Sequence, residues 1–140
     1  MPRHPNFEPK GVIPACILPF HEDLKIDERA YRQHLRHTAD VHGVSAITVN
    51  AHATEVASCS FEEQRRVLDV TMDEIGDRTP VVNGVYADGS AEAARIARMA
   101  DAGGASALLV YTPYAADSLA RWSCCLTRRA YGRVSTKIIW

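Results

Sequence analysis

Four short runs of consecutive apolar residues, separated by segments with helical periodicity, constrain the fold of this chain more than any other feature. The runs lie at residues 12–18, 44–50, 80–86 and 105–111. A strand that is apolar along its whole length belongs in a sheet whose two faces are both covered. Strands that alternate with helices pair in parallel. The pattern therefore predicts an α/β fold built around a parallel sheet.

The intervening segments carry signals for three helices. Ser60 and Glu63 form a capping box, in which each side chain satisfies a free backbone N–H at the start of a helix. Residues 43–49 resemble residues 104–110, since each passes from a helix-ending glycine into a strand, and this echo indicates a repeated β–α module as in barrels and doubly wound sheets. The predicted caps and stops are Asp27 and Gly43 for the first helix, Ser60 and Gly76 for the second, and Ser90 and Ala102 for the third.

The last twenty residues differ in composition from the rest of the chain. Residues 121–140 hold five basic side chains and no acidic one, whereas the first 120 residues hold 11 basic and 17 acidic side chains. Both tryptophans and two of the four cysteines also fall there, and no helical stripe or cap follows Ser118. We therefore predict a patterned domain over residues 1–119 and an unrelated or disordered tail over residues 120–140.

Composition also narrows the functional classes. No run approaches the roughly 18 apolar residues of a membrane span, and the N-terminus lacks the apolar core of a signal peptide, so we expect a soluble cytoplasmic protein without a membrane partner. Four cysteines without metal spacing fit a reducing compartment. The glycines form no phosphate-binding fingerprint and the first 120 residues hold no basic patch with interleaved aromatic residues. We therefore expect neither a cofactor nor a nucleic-acid partner.

Residues 50–55, which directly follow the second apolar run, form the first candidate site. In parallel α/β folds, sites are built at the carboxyl ends of the strands. Thr54 supplies a hydroxyl, His52 supplies an imidazole, and the turn supplies backbone amides that can hold a carboxylate. The alternative is that Thr54 and Glu55 only stabilise the turn while solvent surrounds His52.

Tyr111 and Tyr114, after the fourth apolar run, form a second candidate at the same edge of the sheet. A tyrosine there can relay a proton or close a pocket. Packing against a barrel rim or a neighbouring subunit is an equally open interpretation.

The remaining histidines and cysteines considered do not show the pattern of a metal site. His34 and His37 lie three residues apart on the first helix, but no acid or cysteine completes a ligand set, which favours a solvated face. Cys16 lies within an apolar run and is expected in the core. Cys59 precedes a helix N-terminus, where the pKa of a thiol can fall, although nothing else marks it as a nucleophile.

Four segments together carry a resemblance to a known family. They are GVIPACILPF at 11–20, VNAHATEVASCSFEEQRRVL at 49–68, PVVNGV at 80–85 and DAGGASALLVYTPY at 101–114. The ordered series resembles the dihydrodipicolinate synthase and N-acetylneuraminate lyase family over about residues 10–119. The resemblance implies the N-terminal half, about four βα units, of a (β/α)₈ TIM barrel, and a homo-oligomeric class I aldolase or hydro-lyase. Such enzymes form a Schiff base between a lysine and pyruvate or a related 2-keto acid, whose carboxylate is held by a loop after the second strand.

The chain departs from the family pattern at several functional positions. The loop 51–55 stands where the family has Gly-Thr-Thr-Gly-Glu, so that His52 and Ala53 replace the two threonines that hold the carboxylate, and Thr54 replaces the glycine. Leu18 stands where many members have threonine. Tyr114 matches the first tyrosine of a family pair, and Ala115 replaces the second. The resemblance therefore implies a divergent branch in which His52, Ala53 and Thr54 bind the substrate and Tyr114 lines the site or a contact between subunits.

The chain offers no lysine for Schiff-base chemistry by this comparison. Members of the family carry that lysine on the sixth strand, whereas the lysines here are Lys10, Lys25 and Lys137. We therefore expect the chain as given to be truncated and inactive. The alternative is a non-catalytic half-barrel that binds a partner, assembles with itself or aggregates through its open sheet edges.

A frameshift is our hypothesis for the tail. Residues 121–127 can be encoded by a string that reads Met-Val-Leu-Leu-Pro-His in another frame, which would continue the preceding helix. The alternative is a genuine basic arm that binds an acidic partner.

Overall fold

A four-stranded parallel sheet forms the centre of the structure, a computed structural model that describes residues 1–112 and 137–139. The strands lie side by side in the order of the sequence. They are β1 (Ile47–Val49), β2 (Val81–Val85), β3 (Ala107–Val110) and β4 (Lys137–Ile139). The helices between them are α1 (Glu28–Ala39), α2 (Phe61–Glu74) and α3 (Ser90–Ala102), and two short 3₁₀ turns cover His52–Thr54 and Val56–Ser58. The predicted alternation of strands and helices is thus confirmed up to β3.

The first apolar run lies beside β1 without forming a regular strand. Its backbone bridges to the β1 region in parallel at residues 12 and 15. Prolines at positions 14 and 19 donate no backbone hydrogen bond, which limits regular pairing. Cys16 and Leu18 are buried, whereas Val12 and Ile17 are 60% and 59% exposed. The expected buried strand is therefore an irregular edge that buries only part of its side chains.

The helix boundaries confirm some capping predictions and correct others. The Ser60–Glu63 capping box is present, with both of its hydrogen bonds formed. The first helix begins after Asp27 but ends at Ala39, and Gly43 (φ +90°) lies in the turn before β1. The third helix is preceded by Gly89, so that Ser90 is its first residue and not its cap. Glycine is suited to the turn at Gly43 because it adopts positive φ without strain.

The core lies between the sheet and the helices. Its largest members are fully buried and include Tyr31, Leu35, Leu68, Ile96 and Leu108. A smaller cluster of Phe7, Ala46, Val82 and Ala107 packs separately. Successive residues of a strand point to opposite faces, so the alternation of Val81 with Val82 and of Ala107 with Leu108 places the two clusters on opposite sides of the sheet.

Three residues of the predicted tail take part in the sheet. Lys137–Ile139 form β4 and pair in parallel with β3 from Ala107 to Leu109. The other residues of the predicted tail, 120–136 and 140, lie outside the described residues.

Candidate functional site

The loop that follows β1 is bounded by two residues with left-handed backbone conformation. Asn50 has φ +51° and Glu55 has φ +55°. These values are uncommon for residues other than glycine, and they reverse the chain direction sharply at each end of the loop. The loop 50–55 therefore stands as a compact projection at the carboxyl end of the sheet, where the sequence predicted a site.

A buried amide network anchors the start of this loop. The Asn50 side-chain amide donates to the Gln64 carbonyl at 2.9 Å and to Asn83 Oδ1 at 2.8 Å. Asn83 in turn donates to the Gly84 carbonyl at 2.7 Å. Asn50 and Asn83 are 1% and 0% exposed, so these hydrogen bonds form away from water, where an unpaired amide would be costly. The network connects the ends of β1 and β2 with the first turn of α2.

Gly84 allows the two strands to approach closely at this point. A Cβ atom on Gly84 would lie 1.9 Å from the Asn50 carbonyl oxygen. Any side chain on residue 84 would therefore force Asn50, and the loop that it begins, away from β2.

Thr54 supports the loop from inside. It is fully buried, and its hydroxyl donates to the Cys16 carbonyl at 2.9 Å while accepting from the Ala51 amide at 3.3 Å. Its own amide donates to the Ala51 carbonyl at 2.9 Å. The hydrogen-bonding groups of Thr54 are thus used within the protein, and they connect the loop to the irregular edge at residue 16.

Ala53 and His52 form the exposed surface of the loop. Within the part of the chain that the structure describes, the Ala53 amide donates to no protein acceptor, whereas the amides of Thr54 and Glu55 close the 3₁₀ turn. A free amide at the start of such a turn can donate a hydrogen bond to an anionic oxygen.

Three aromatic rings meet beside the loop. The His52 and Tyr111 rings are stacked, with centroids 4.4 Å apart and planes inclined by 14°. Tyr86 packs edge-on, 5.4 Å from His52 and 6.3 Å from Tyr111. Burial raises the pKa of the Tyr111 hydroxyl, and a hydrogen bond from the backbone of His52 partly opposes this. The phenol is therefore neutral near pH 7 and can donate a proton.

Sequence reasoning identified His52 and Tyr111 separately and missed Tyr86. The available signal was positional, because Tyr86 directly follows the third apolar run as Tyr111 follows the fourth. The Tyr111 amide donates to the Val85 carbonyl at 3.1 Å, which places the two tyrosines next to each other at the sheet edge. Tyr114, the other predicted site residue, lies outside the described residues.

Neither of the two cysteines that the structure describes, Cys16 and Cys59, has the environment of a nucleophile. Burial raises the pKa of Cys16 to about 12, as expected for a core residue. Burial also raises the pKa of Cys59, and the charges of Glu63 and Glu55 add to the effect. The position of Cys59 before a helix N-terminus therefore does not lower its pKa, because burial and the two nearby carboxylates disfavour the thiolate.

The histidine pair of α1 is also placed differently from the sequence interpretation. His34 is half-buried, and its Nε2 accepts a hydrogen bond from the Ile17 amide at 3.3 Å, whereas His37 is exposed. A solvated face is thus wrong for His34, which connects α1 to the irregular edge. Among the described residues, no three His, Cys, Asp or Glu side chains are grouped closely enough to hold a metal ion.

Comparisons with known proteins agree with this architecture. A sequence model of the Dihydrodipicolinate synthetase family matches residues 8–119. The chain is 35% identical over 105 residues to the 4-hydroxy-tetrahydrodipicolinate synthase of Methanothermobacter thermautotrophicus, a match that covers 75% of this chain and 37% of that protein.

Solved structures show the same fold. The 4-hydroxy-tetrahydrodipicolinate synthase from Methylacidiphilum fumariolicum SolV is similar with a TM-score of 0.84 and 24% identity, covering 94% of this chain and 43% of that one. N-acetylneuraminate lyase from Fusobacterium nucleatum is similar with a TM-score of 0.82 and 22% identity, covering 92% and 44%. These similarities confirm the predicted fold class, an α/β chain that forms the N-terminal part of a (β/α)₈ barrel.

The match covers only part of each relative. The chain spans 37% of the length of the Methanothermobacter protein. Among the residues that the structure describes, no helix has the length and apolar character needed to cross a membrane.

Proposed function

Because this chain belongs to the Dihydrodipicolinate synthetase family, we propose that it carries one part of the active site of a cytoplasmic lyase that acts on pyruvate or a related 2-keto acid. In this proposal the parent reaction is aldol cleavage, condensation or dehydration through a Schiff base. The relatives named above support the reaction class, and the loop 50–55 supports the part that this chain plays.

The observation that carries the proposal is the free amide of Ala53 on a rigid loop at the carboxyl end of β1. The amide network around Asn50 and the buried hydroxyl of Thr54 fix the loop before any ligand arrives. A fixed donor loses little conformational entropy when it donates to a bound anion. The Ala53 amide thus binds the substrate carboxylate, the His52 imidazole lies next to it, and Thr54 maintains the shape of the loop.

Among the residues that the structure describes, Tyr111 is the best candidate for proton transfer in this part of the site. Its phenol lies at the end of β3, against His52, and burial raises its pKa further above the neutral range, in which a phenol is protonated in any case. A neutral phenol can donate to an oxygen that gains negative charge during the reaction. Tyr114, three residues further along the chain, lies outside the described residues and stays a proposal from the family resemblance, for the site or for a contact between subunits.

Binding of the carboxylate can be tested by nuclear magnetic resonance on the ¹⁵N-labelled chain. Pyruvate should shift the Ala53 amide resonance more than that of any amide in α1. Pyruvamide, which has the same keto group but no carboxylate, is the matched control and should leave Ala53 unchanged. Equal shifts with both compounds, or none with pyruvate, would contradict the proposed role of the loop.

We further propose that this chain alone forms no Schiff base. Lys10 and Lys25 are 79% and 80% exposed, and each pairs with a carboxylate at 2.8 Å. A Schiff-base lysine is typically desolvated in a pocket, whereas the amines of these two lysines are exposed to solvent and held in ion pairs. Treatment with pyruvate and borohydride should therefore give no covalent adduct by mass spectrometry, and stable labelling of any lysine would refute this.

A second candidate function is a binding or assembly module. The irregular edge exposes Val12 and Ile17, and Leu24 is 78% exposed nearby in the chain. Apolar side chains along an open edge favour association with another sheet edge. Sedimentation should then show a homo-oligomer, whereas a monomer that melts cooperatively would favour the partial enzyme.

The tail remains a separate proposal. The family match ends at residue 119, next to the boundary at which the composition changes, and this supports a non-family segment over 120–140, although Lys137–Ile139 within it pair with β3 as the next parallel strand. Sequencing the coding DNA beyond the codon for Leu119 tests the frameshift. A family-like reading in another frame is expected, and its absence from both other frames would refute the hypothesis.

A further inference from the structure

Three rings from three successive strand ends come together next to the loop that holds the proposed carboxylate site. His52 follows β1, Tyr86 follows β2 and Tyr111 follows β3. Parallel pairing brings all three to one edge of the sheet. His52 thus belongs to this ring cluster. Its neighbour in the chain, Ala53, supplies the amide that is proposed to bind the carboxylate.

We infer that His52, Tyr86 and Tyr111 form a subsite that selects 2-keto acids whose side chain carries a flat aromatic or unsaturated group. The inference rests on the proposed function, because it requires the carboxylate to be bound at Ala53. It adds the class of side chain that lies beside the carboxylate, which the relatives' names do not assign.

The geometry favours a flat group over a bulky saturated one. The His52 and Tyr111 rings are nearly parallel, and Tyr86 stands at 82° and 68° to them, so the cluster combines one stacked contact with two edge-on contacts. Aromatic groups prefer offset-stacked and edge-to-face arrangements of this kind. His52 is exposed and the tyrosines are half-buried, so a ligand can reach the cluster.

The residue types also fit a ligand with some polarity at its rim. The imidazole and the two phenols provide polar groups at the margins of apolar ring surfaces. A ring or conjugated system can stack on these surfaces while its substituents accept hydrogen bonds from the polar groups at their margins.

The test compares three ligands of similar charge on the full chain. Calorimetric titration measures the affinity for each ligand. Pyruvate reports on binding of the keto-acid group alone, phenylpyruvate adds a flat ring, and 3-cyclohexylpyruvate adds a saturated ring of similar apolar volume. Ring stacking should make phenylpyruvate bind roughly three- to tenfold more tightly than 3-cyclohexylpyruvate. His52→Thr and Tyr86→Leu should each reduce this ratio toward one, and His37→Thr, which replaces an exposed histidine of α1, should leave it unchanged.

Each outcome has a distinct meaning. A ratio near one in the unaltered chain, with pyruvate still bound, overturns the subsite and leaves the proposed function intact. A ratio that survives in both ring variants also overturns it. Failure of all three acids to bind refutes the proposed function and the subsite together.

Discussion

Replacing Gly84 with alanine should destabilise the fold and displace the site loop at the same time. The new Cβ would lie 1.9 Å from the Asn50 carbonyl oxygen, 2.7 Å from its carbon and 3.2 Å from the Ala51 nitrogen. All three atoms belong to the backbone, so no side-chain rotation can relieve the overlap. The end of β1 must move away from β2.

The expected cost follows from what this movement breaks. Overpacking of a rigid interior costs about 1–3 kcal/mol. Separation of the strand ends also stretches the 2.8 Å hydrogen bond between Asn50 and Asn83, and loss of such a bond costs about 1 kcal/mol. The free energy of unfolding should therefore fall by roughly 2–4 kcal/mol.

Gly89→Ala is the matched control. Gly89 has φ −107°, and nothing lies within 4 Å of an added Cβ. Alanine at residue 89 lowers the conformational entropy of the unfolded chain, which favours folding, but it caps a helix slightly less well than glycine. The two effects oppose each other, so the free energy of unfolding should stay within about 1 kcal/mol of that of the unaltered chain.

Urea unfolding followed by circular dichroism measures both variants, with the unfolding free energy taken by linear extrapolation. In the folded Gly84→Ala chain, the Ala53 amide resonance should also move, because Asn50 begins the loop that carries it. Unfolding free energies of the two variants within about 0.5 kcal/mol of each other would show that the strands tolerate a side chain at residue 84, contrary to this reasoning.

Two further predictions concern the contacts of the irregular edge. Thr54→Val should cost about 1–3 kcal/mol of unfolding free energy, because the buried Cys16 carbonyl loses its donor; an unchanged urea midpoint would exclude this support. His34→Ala should cost about 1 kcal/mol through loss of the acceptor for the Ile17 amide, while His37→Ala should change stability little. Burial lowers the pKa of His34, and the charge of His37 adds to this, so the unfolded chain binds the proton more readily. Stability should therefore decrease as the pH falls through the ordinary histidine value of 6.5, and the decrease should be smaller in His34→Ala; an identical pH dependence would contradict the assignment.

The elements of this fold follow from local patterns that are visible in the sequence. Apolar runs become β1, β2 and β3, and the Ser60–Glu63 pair starts α2 as its spacing requires. These features depend on residues within one turn or one strand, and their physical causes are local. The first apolar run is the exception, because its regularity depends on hydrogen-bonding partners on both sides and on the prolines within it.

The sequence indicated where the candidate site lies but not how its side chains and amides are arranged. The rule that sites form at strand carboxyl ends indicated residues 50–55 and 111–114. The sequence could not show that Thr54 turns inward to the Cys16 carbonyl, since that contact joins residues 38 positions apart. It likewise could not show that Asn50 donates to Asn83, since these residues lie 33 positions apart.

The sequence by itself determined the alternation of strands and helices, the family and the edge of the sheet at which a site could form. Each of these depends on periodicity, on capping or on an ordered series of motifs. Only the tertiary structure decided which groups of that edge are exposed or without a hydrogen-bond partner among the described residues. The Ala53 amide is free because Asn50 and Thr54 hold the loop open, and His52, Tyr86 and Tyr111 become one surface because parallel pairing aligns three strand ends that are separated in the chain.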